Sequence, residues 1–339
     1  MENCCKFPFQ LIRIFPNGDV FFCWWTSKYV LGNIFKDSFE DIWFGEKAQA
    51  FRKTILDGSY KYCSEFCTLK QSKGQKSEEP NFNYPECIDL AYNKFCNVRC
   101  KMCRDELICE TKEDTEKQEK FIEKIVPICK HAKTVSINGE GEALSSPHFR
   151  KLIKILAETY PHLSFIIFSN GLLLKKDILR DLGIIDRLNY VIVSVHAATK
   201  KTYNKIVCGS DFDTVLDNIK HINKKTFIQL MFVISSLNYK EMPDFLKLAS
   251  NFNSVVCFEK FKPCHSETSS MCRDHEKYEC WEPGHPEYKK FLKVLKKTIR
   301  VAKKNKYKYF FQDAHILKLA KQVDKDPWWV GLKNKIFKK

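Results

Sequence analysis

Residues 93–106, NKFCNVRCKMCRDE, place three cysteines within eight positions: Cys96, Cys100 and Cys103. Thiolates are ligands for soft or borderline metals. A structural zinc site asks for a fourth ligand and usually shows two close pairs. Three thiolates on one loop suit a cubane iron–sulfur cluster instead, in which one iron stays open to something other than protein. A second set lies nearer the N-terminus, where Cys4 or Cys5, then Cys23, then Cys63-x3-Cys67, supply four thiolates and no histidine. That donor set suits a closed site, either a [4Fe–4S] cluster or a Cys4 zinc. Cys257, Cys264, Cys272 and Cys280 are spaced too widely for any metal template and are expected as free thiols.

The sixteen cysteines of this 339-residue chain bear on compartment. No apolar run approaches the roughly 18 residues needed to cross a bilayer, and MENCCKFPFQ lacks the basic-then-apolar order of a signal peptide. A cytoplasmic location is expected, with no membrane partner. In that reducing environment tight cysteine spacing points to metal rather than disulfides.

Around these residues the chain divides by texture. Residues 1–75 are rich in cysteine and aromatics, and LIRIF-PNGDV-FFCWW predicts a hairpin with Cys23 on the returning strand. A polar stretch follows, with a linker at 76–85. From 86 to 262, β-rich runs at 87–93, 133–138, 163–169, 190–196, 227–234 and 254–261 alternate with amphipathic segments. Six such alternations predict parallel strands with right-handed crossovers. They are too few for a closed eight-fold barrel, leaving a partial barrel or a doubly wound sheet. Residues 263–339 are expected to be a helical extension, whose tail DPWWVGLKNKIFKK is apolar enough to dock. The three-cysteine loop follows the first strand, at the end where parallel α/β folds place their active sites.

The C-x3-C-x2-C loop after a first strand resembles the radical S-adenosylmethionine (SAM) enzymes. Three further stretches strengthen the resemblance: SINGEGEALSSPHF after the second strand, FSNGLLL ending the third, and VSVHAATKKTYNKIVCGSDFDTVLDNIKHI after the fourth. The resemblance implies an α/β fold built on a partial (β/α)6 TIM-like barrel. It implies that Cys96, Cys100 and Cys103 hold a [4Fe–4S] cluster whose open iron chelates SAM. It also implies that Gly141 and Glu142 hold the SAM amino group, that Met102 lies against the adenine, and that Ser194 meets the ribose or the carboxylate. Ser169 and Asn170 occupy the family's Thr/Ser-Asn-Gly turn. Ala143 stands where the family usually has proline. His196 stands where many relatives carry aspartate; it is either a weak candidate proton donor or a structural hydrogen-bonding residue.

The N-terminal region, with CKFPF and GNIFKDSFEDIW, resembles the SPASM/twitch domain. That resemblance implies a small α+β domain with one auxiliary [4Fe–4S] cluster on Cys5, Cys23, Cys63 and Cys67, Cys4 being the alternative to Cys5. Here the domain precedes the barrel, whereas in the family it commonly follows it. Radical SAM chemistry uses one electron to cleave SAM to a 5′-deoxyadenosyl radical, which abstracts hydrogen. The SPASM association implies a ribosomally made peptide or protein as substrate, and a flavodoxin or ferredoxin as electron donor. Small-molecule or polysaccharide metabolism is the enzymatic alternative.

Net charge opens a different class. The chain carries +16, but only nine of its 57 basic residues are arginine, the better bidentate reader of phosphates and bases. The charge is expected to be a solvated lysine surface or one that attracts an acidic partner. A nucleic-acid-binding protein with structural metal remains the rival reading.

Overall fold

The computed structural model describes residues 5–23, 26, 29–65, 67, 83–91, 94–139, 141–222, 226–263 and 269–324. Cys4, Cys264, most of the 76–85 linker and the tail from 325 onward lie outside the described residues. The strands, in chain order, are β1 (Leu11–Ile14), β2 (Asp19–Phe21), β3 (Gly32–Asn33), β4 (Cys87–Leu90), β5 (Arg99–Cys100), β6 (Thr134–Ile137), β7 (Ser164–Ser169), β8 (Leu188–Ser194), β9 (Val207–Cys208), β10 (Phe227–Ile234), β11 (Val255–Lys260) and β12 (Tyr309–Phe311). Each of the six runs expected between 86 and 262 overlaps one of the parallel strands. The mostly parallel α/β class is the one observed.

Two compact units divide these elements. The first comprises residues 1–95, 109–168 and 179–189. Its strands run in the order β7-β6-β4-β1-β2-β3. β4, β6 and β7 are parallel, and β1 adds to β4 in parallel, with Arg13 opposite Asp89. The hairpin β1–β2 thus extends the sheet that begins at β4. Arg13, 1% exposed, bridges to the Asp89 carboxylate across that seam. Helix Pro147–Thr159 buries Phe149, Leu152, Ile153, Leu156 and Ala157, one face of a 3.6-residue period. Ser146 caps it by accepting a hydrogen bond from Phe149 N at 3.2 Å, and Pro147 fills the first turn, where no donor is required.

The hairpin corrects one expectation. β2 ends at Phe21, so Cys23 is not on the returning strand. Thr26 intercepts it: Cys23 N donates to Thr26 Oγ1 at 3.3 Å, and that hydroxyl donates to Cys23 O at 2.9 Å. The backbone groups of Cys23 serve a local turn rather than a ladder.

The second unit comprises residues 96–108, 169–178 and 190–339. β8, β10, β11 and β12 pair in parallel in that order, and β5 pairs antiparallel with β9. The extension after 262 is therefore not purely helical: β12 adds a further parallel strand beside β11. Helix Tyr288–Asn305 presents Phe291, Leu295, Thr298, Ile299 and Ala302 to the interior. Its lysines fall on the opposite face.

Candidate iron–sulfur and SAM site

The three-cysteine loop closes on itself. Cys100 O accepts from Cys103 N at 2.8 Å and from Arg104 N at 2.9 Å, a tight turn that draws the second and third cysteines together. β5 anchors the turn by pairing with β9, and Lys101 N donates to Ile206 O at 2.9 Å. Burial, then the neighbouring Cys96 and Cys103, push the Cys100 thiol well above its ordinary pKa, with Arg104 partly opposing. Thiols so placed resist ionisation alone and gain from a cationic group bound among them. The donor set fits an iron–sulfur cluster.

A fourth cysteine is closer than its sequence position suggests. Cys208 lies within electrostatic reach of Cys100, yet its partner across the ladder is Arg99, while Cys100 faces Val207. Alternation along the strand puts Cys208 on the other face of the ribbon from Cys100.

The Ser169–Asn170–Gly171 turn meets the same loop. Asn170 Nδ2 lies 2.8 Å from Asn97 Oδ1 and 3.9 Å from Cys96 Sγ. Ser169 Oγ accepts from Gly171 N at 3.0 Å, and both Ser169 and Asn170 are buried. Ser194 ends β8 and is half-buried. Met102, also half-buried, has its carbonyl 3.7 Å from Cys272 Sγ.

Sequence reading missed a brace. Four residues of segment 269–273 dock on the loop: Ser269 Oγ donates to Lys101 O, Cys272 reaches Met102 O, and Asp105 accepts from Ser270 N at 2.7 Å and from Arg273 at 3.2 Å. The separation of some 165 residues hides it, and the only local cue was a serine N-cap before Cys272. Cys257 is a packed thiol among Val255, Phe310 and Met231, donating to Gln312 Oε1 at 3.2 Å. Cys280 is buried as well.

His196 makes hydrogen bonds within the fold. It is 6% exposed with φ 63°, its Nδ1 lies 3.2 Å from Val233 N, and its carbonyl accepts from Asn238 Nδ2 at 2.8 Å. Burial pushes its pKa down to about 4, so at neutral pH the ring is uncharged.

Gly141 and Glu142 belong to the first unit. A side chain at Gly141 would place its Cβ 2.0 Å from Phe95 O, so only glycine fits where that backbone passes. Glu142 N donates to Phe95 O at 2.7 Å, one residue before Cys96. The Glu142 carboxylate, in a residue only 1% exposed, accepts from Leu144 N at 3.3 Å. Ala143 starts the 3₁₀ turn Ala143–Ser145 in place of a proline.

The N-terminal group also converges. Burial first, then Cys23, Cys67 and Cys63, push the Cys5 thiol far up, so these four sulfurs share one neighbourhood. Tyr60 ties it together: its hydroxyl accepts from Cys5 N at 3.4 Å and its carbonyl from Cys63 N at 3.1 Å. Four sulfurs without nitrogen or oxygen donors fit a closed cluster. Gly18, at φ +85° in the PNGDV turn, leaves room for Phe35, which a Cβ would approach to 2.4 Å. Trp43 is fully buried beneath Arg52, whose guanidinium carbon stands 4.3 Å from the ring centroid. The GNIFKDSFEDIW run is thus packing and turn chemistry, not ligation. Among the described residues no group of three or more His, Cys, Asp or Glu side chains is assembled to hold a single ion; cubane ligands bind separate irons and need not converge on one point. No helix is long and apolar enough to cross a membrane among the described residues.

Comparison with known proteins places two families on the chain. The SPASM model, an iron–sulfur cluster-binding domain, matches residues 4–68, and the radical SAM superfamily model matches residues 91–249. The order is the one expected from the sequence. Iron–sulfur clusters and SAM are the cofactors of these domains. The chain is 30% identical over 131 residues to the FeMo cofactor biosynthesis protein NifB of Methanocaldococcus infernus, covering 36% of this chain and 43% of that protein. It is 28% identical over 176 residues to a probable GTP 3′,8-cyclase of Saccharolobus islandicus, covering 49% and 53%. The chain thus spans about half the length of the curated relatives it matches. In fold it resembles Streptococcus suis SuiB bound to precursor peptide SuiA, with a TM-score of 0.51 at 11% identity over 93% of this chain and 74% of that one.

Proposed function

We propose that this chain, carrying a radical SAM domain behind a SPASM domain, binds SAM at a [4Fe–4S] cluster held by Cys96, Cys100 and Cys103. When bound, that pair supplies a 5′-deoxyadenosyl radical for hydrogen abstraction from a substrate. The observation that carries the reading is the closed turn that draws Cys100 and Cys103 together, with Cys96 near Cys100 and beside Asn170. In this reading Gly141 and Glu142 hold the SAM amino group, Met102 lies against the adenine, and Ser194 meets the ribose or the carboxylate. Each residue positions or screens; the radical chemistry is the cofactor's. Cys5, Cys23, Cys63 and Cys67 would hold one auxiliary cluster, which would supply an electron acceptor or relay.

The substrate we infer is a ribosomally made peptide or protein, supported by the SPASM domain; a flavodoxin or ferredoxin supplies the electron. The names of the sequence relatives, a FeMo cofactor biosynthesis protein and a GTP cyclase, favour a second reading in which a small molecule or nascent cofactor is the substrate. Anaerobically reconstituted protein given dithionite and SAM is expected to release 5′-deoxyadenosine, detected by chromatography and mass. A protein that binds zinc and releases none would overturn the enzymatic reading.

A further inference from the structure

Arginine directly after a metal-binding cysteine would ordinarily extend into water, since arginine is almost never fully buried unless paired. Arg104 is only 5% exposed. Its Nε lies 3.5 Å and its Nη2 3.4 Å from Cys103 Sγ, so two N–H groups on one edge of the guanidinium address one sulfur. Local structure explains the direction. The bond from Arg104 N to Cys100 O turns the backbone, and the next residue, Asp105, is committed to Ser270 and Arg273 on the bracing segment. Cys103 first, then Cys96 and Cys100, lie within electrostatic reach of the same guanidinium. A cation buried at this depth is costly unless negative charge accompanies it; the sulfurs would supply that charge as thiolate ligands of a bound cluster.

We propose that Arg104 sets the reduction potential of the cluster carried by this loop, by donating two hydrogen bonds to the Cys103 sulfur. The inference rests on the assignment of Cys96, Cys100 and Cys103 made above. A thiolate-ligated cluster is already anionic, and uptake of one electron adds another negative charge. A nearby cation with N–H donors on a ligand sulfur favours the more negative state, so it raises the potential. Lysine keeps the charge but not the planar fork. Arg104 touches a ligand rather than substrate, so it is a positioning residue. Its effect belongs on a potential, where a residue that only packs the loop would leave no trace.

The test uses the full-length chain, reconstituted with iron and sulfide, as wild type, Arg104→Lys and Arg104→Met. Iron and acid-labile sulfide are counted first. A redox titration then uses dithionite as the one-electron donor, following by electron paramagnetic resonance the signal that changes when SAM is added. The expected result is full iron in R104M with a midpoint shifted to more negative potential, and R104K between it and wild type. An unchanged midpoint in R104M at full iron overturns the proposal. Should R104M fail to hold iron, R104K decides: a negative shift supports the proposal, whereas an unchanged midpoint, or iron loss in R104K too, assigns Arg104 to packing. If a C96A/C100A/C103A chain keeps the SAM-responsive signal, the cluster assignment itself fails and takes the role of Arg104 with it.

Discussion

The two cysteine groups are built by opposite routes. Cys96, Cys100 and Cys103 lie in one eight-residue stretch, and a single turn at Cys100 O draws the last two together. Cys5, Cys23, Cys63 and Cys67 span more than sixty positions and come into one neighbourhood through the hairpin, the helix Glu46–Leu56 and the Tyr60 contacts. The first group depends on what covers it; the second depends on what connects it. A contiguous loop can be recognised by spacing alone, whereas a dispersed group needs tertiary structure to become a site.

The strongest way to break this comparison is to remove each group separately. Replacing Cys96, Cys100 and Cys103 by alanine is expected to abolish SAM cleavage and remove roughly half the iron, as for one of two four-iron clusters. Replacing Cys63 and Cys67 is expected to remove the other half while sparing uncoupled 5′-deoxyadenosine release and stopping substrate turnover. Iron analysis and product chromatography on both proteins separate the roles; undiminished product from the second would make its cluster structural.

A smaller effect probes connection. Arg13→Met leaves the Asp89 carboxylate buried beside an apolar side chain, and breaking such a pair costs about 3–5 kcal/mol. Thermal unfolding should fall accordingly, with the double variant R13M/D89N recovering part of the loss. A midpoint that does not move would show that the seam between β1 and β4 is held by the ladder and its apolar neighbours alone.

The smallest effect is a pH dependence at His196. Its folded pKa, about 4, lies below the ordinary 6.5. The uncharged ring is therefore favoured by folding, and its stability contribution is fully present above pH 6.5 and lost as pH falls toward 4. By pH 5 the loss is about 2 kcal/mol. Unfolding of wild type and His196→Gln at pH 7.5 and pH 5 should show a steeper acid decline in wild type; parallel declines would remove His196 from the account.

Much of this was legible because it is local. The runs FIIF, VIVSV and IQLMFVI are near-continuous β-rich stretches, the mark of strands buried on both faces, and each appears as a strand within a few residues of its expected bounds. The three-cysteine spacing announces its own chemistry. β12 escaped because Tyr309–Phe311 is three residues long and follows a lysine-rich helix whose period dominates the window. The parallel pairing of β1 with β4 escaped because it joins residues 76 apart, and nothing in Arg13 or Asp89 by itself names the other. Cys23 left its strand because Thr26, three positions later, competes for its backbone.

The docking of Ser269, Ser270, Cys272 and Arg273 on loop 101–105 has a consequence in time. At ribosomal speeds of about 5–20 residues per second, those residues are made on the order of ten to thirty seconds after the cysteines they hold. During that interval the nascent chain offers its sulfurs on an unsupported turn, open to stray metals and oxidants. Delivery of iron is then best matched to the finished polypeptide, and a chain halted before residue 269 should emerge with a site that fills poorly or with the wrong ion.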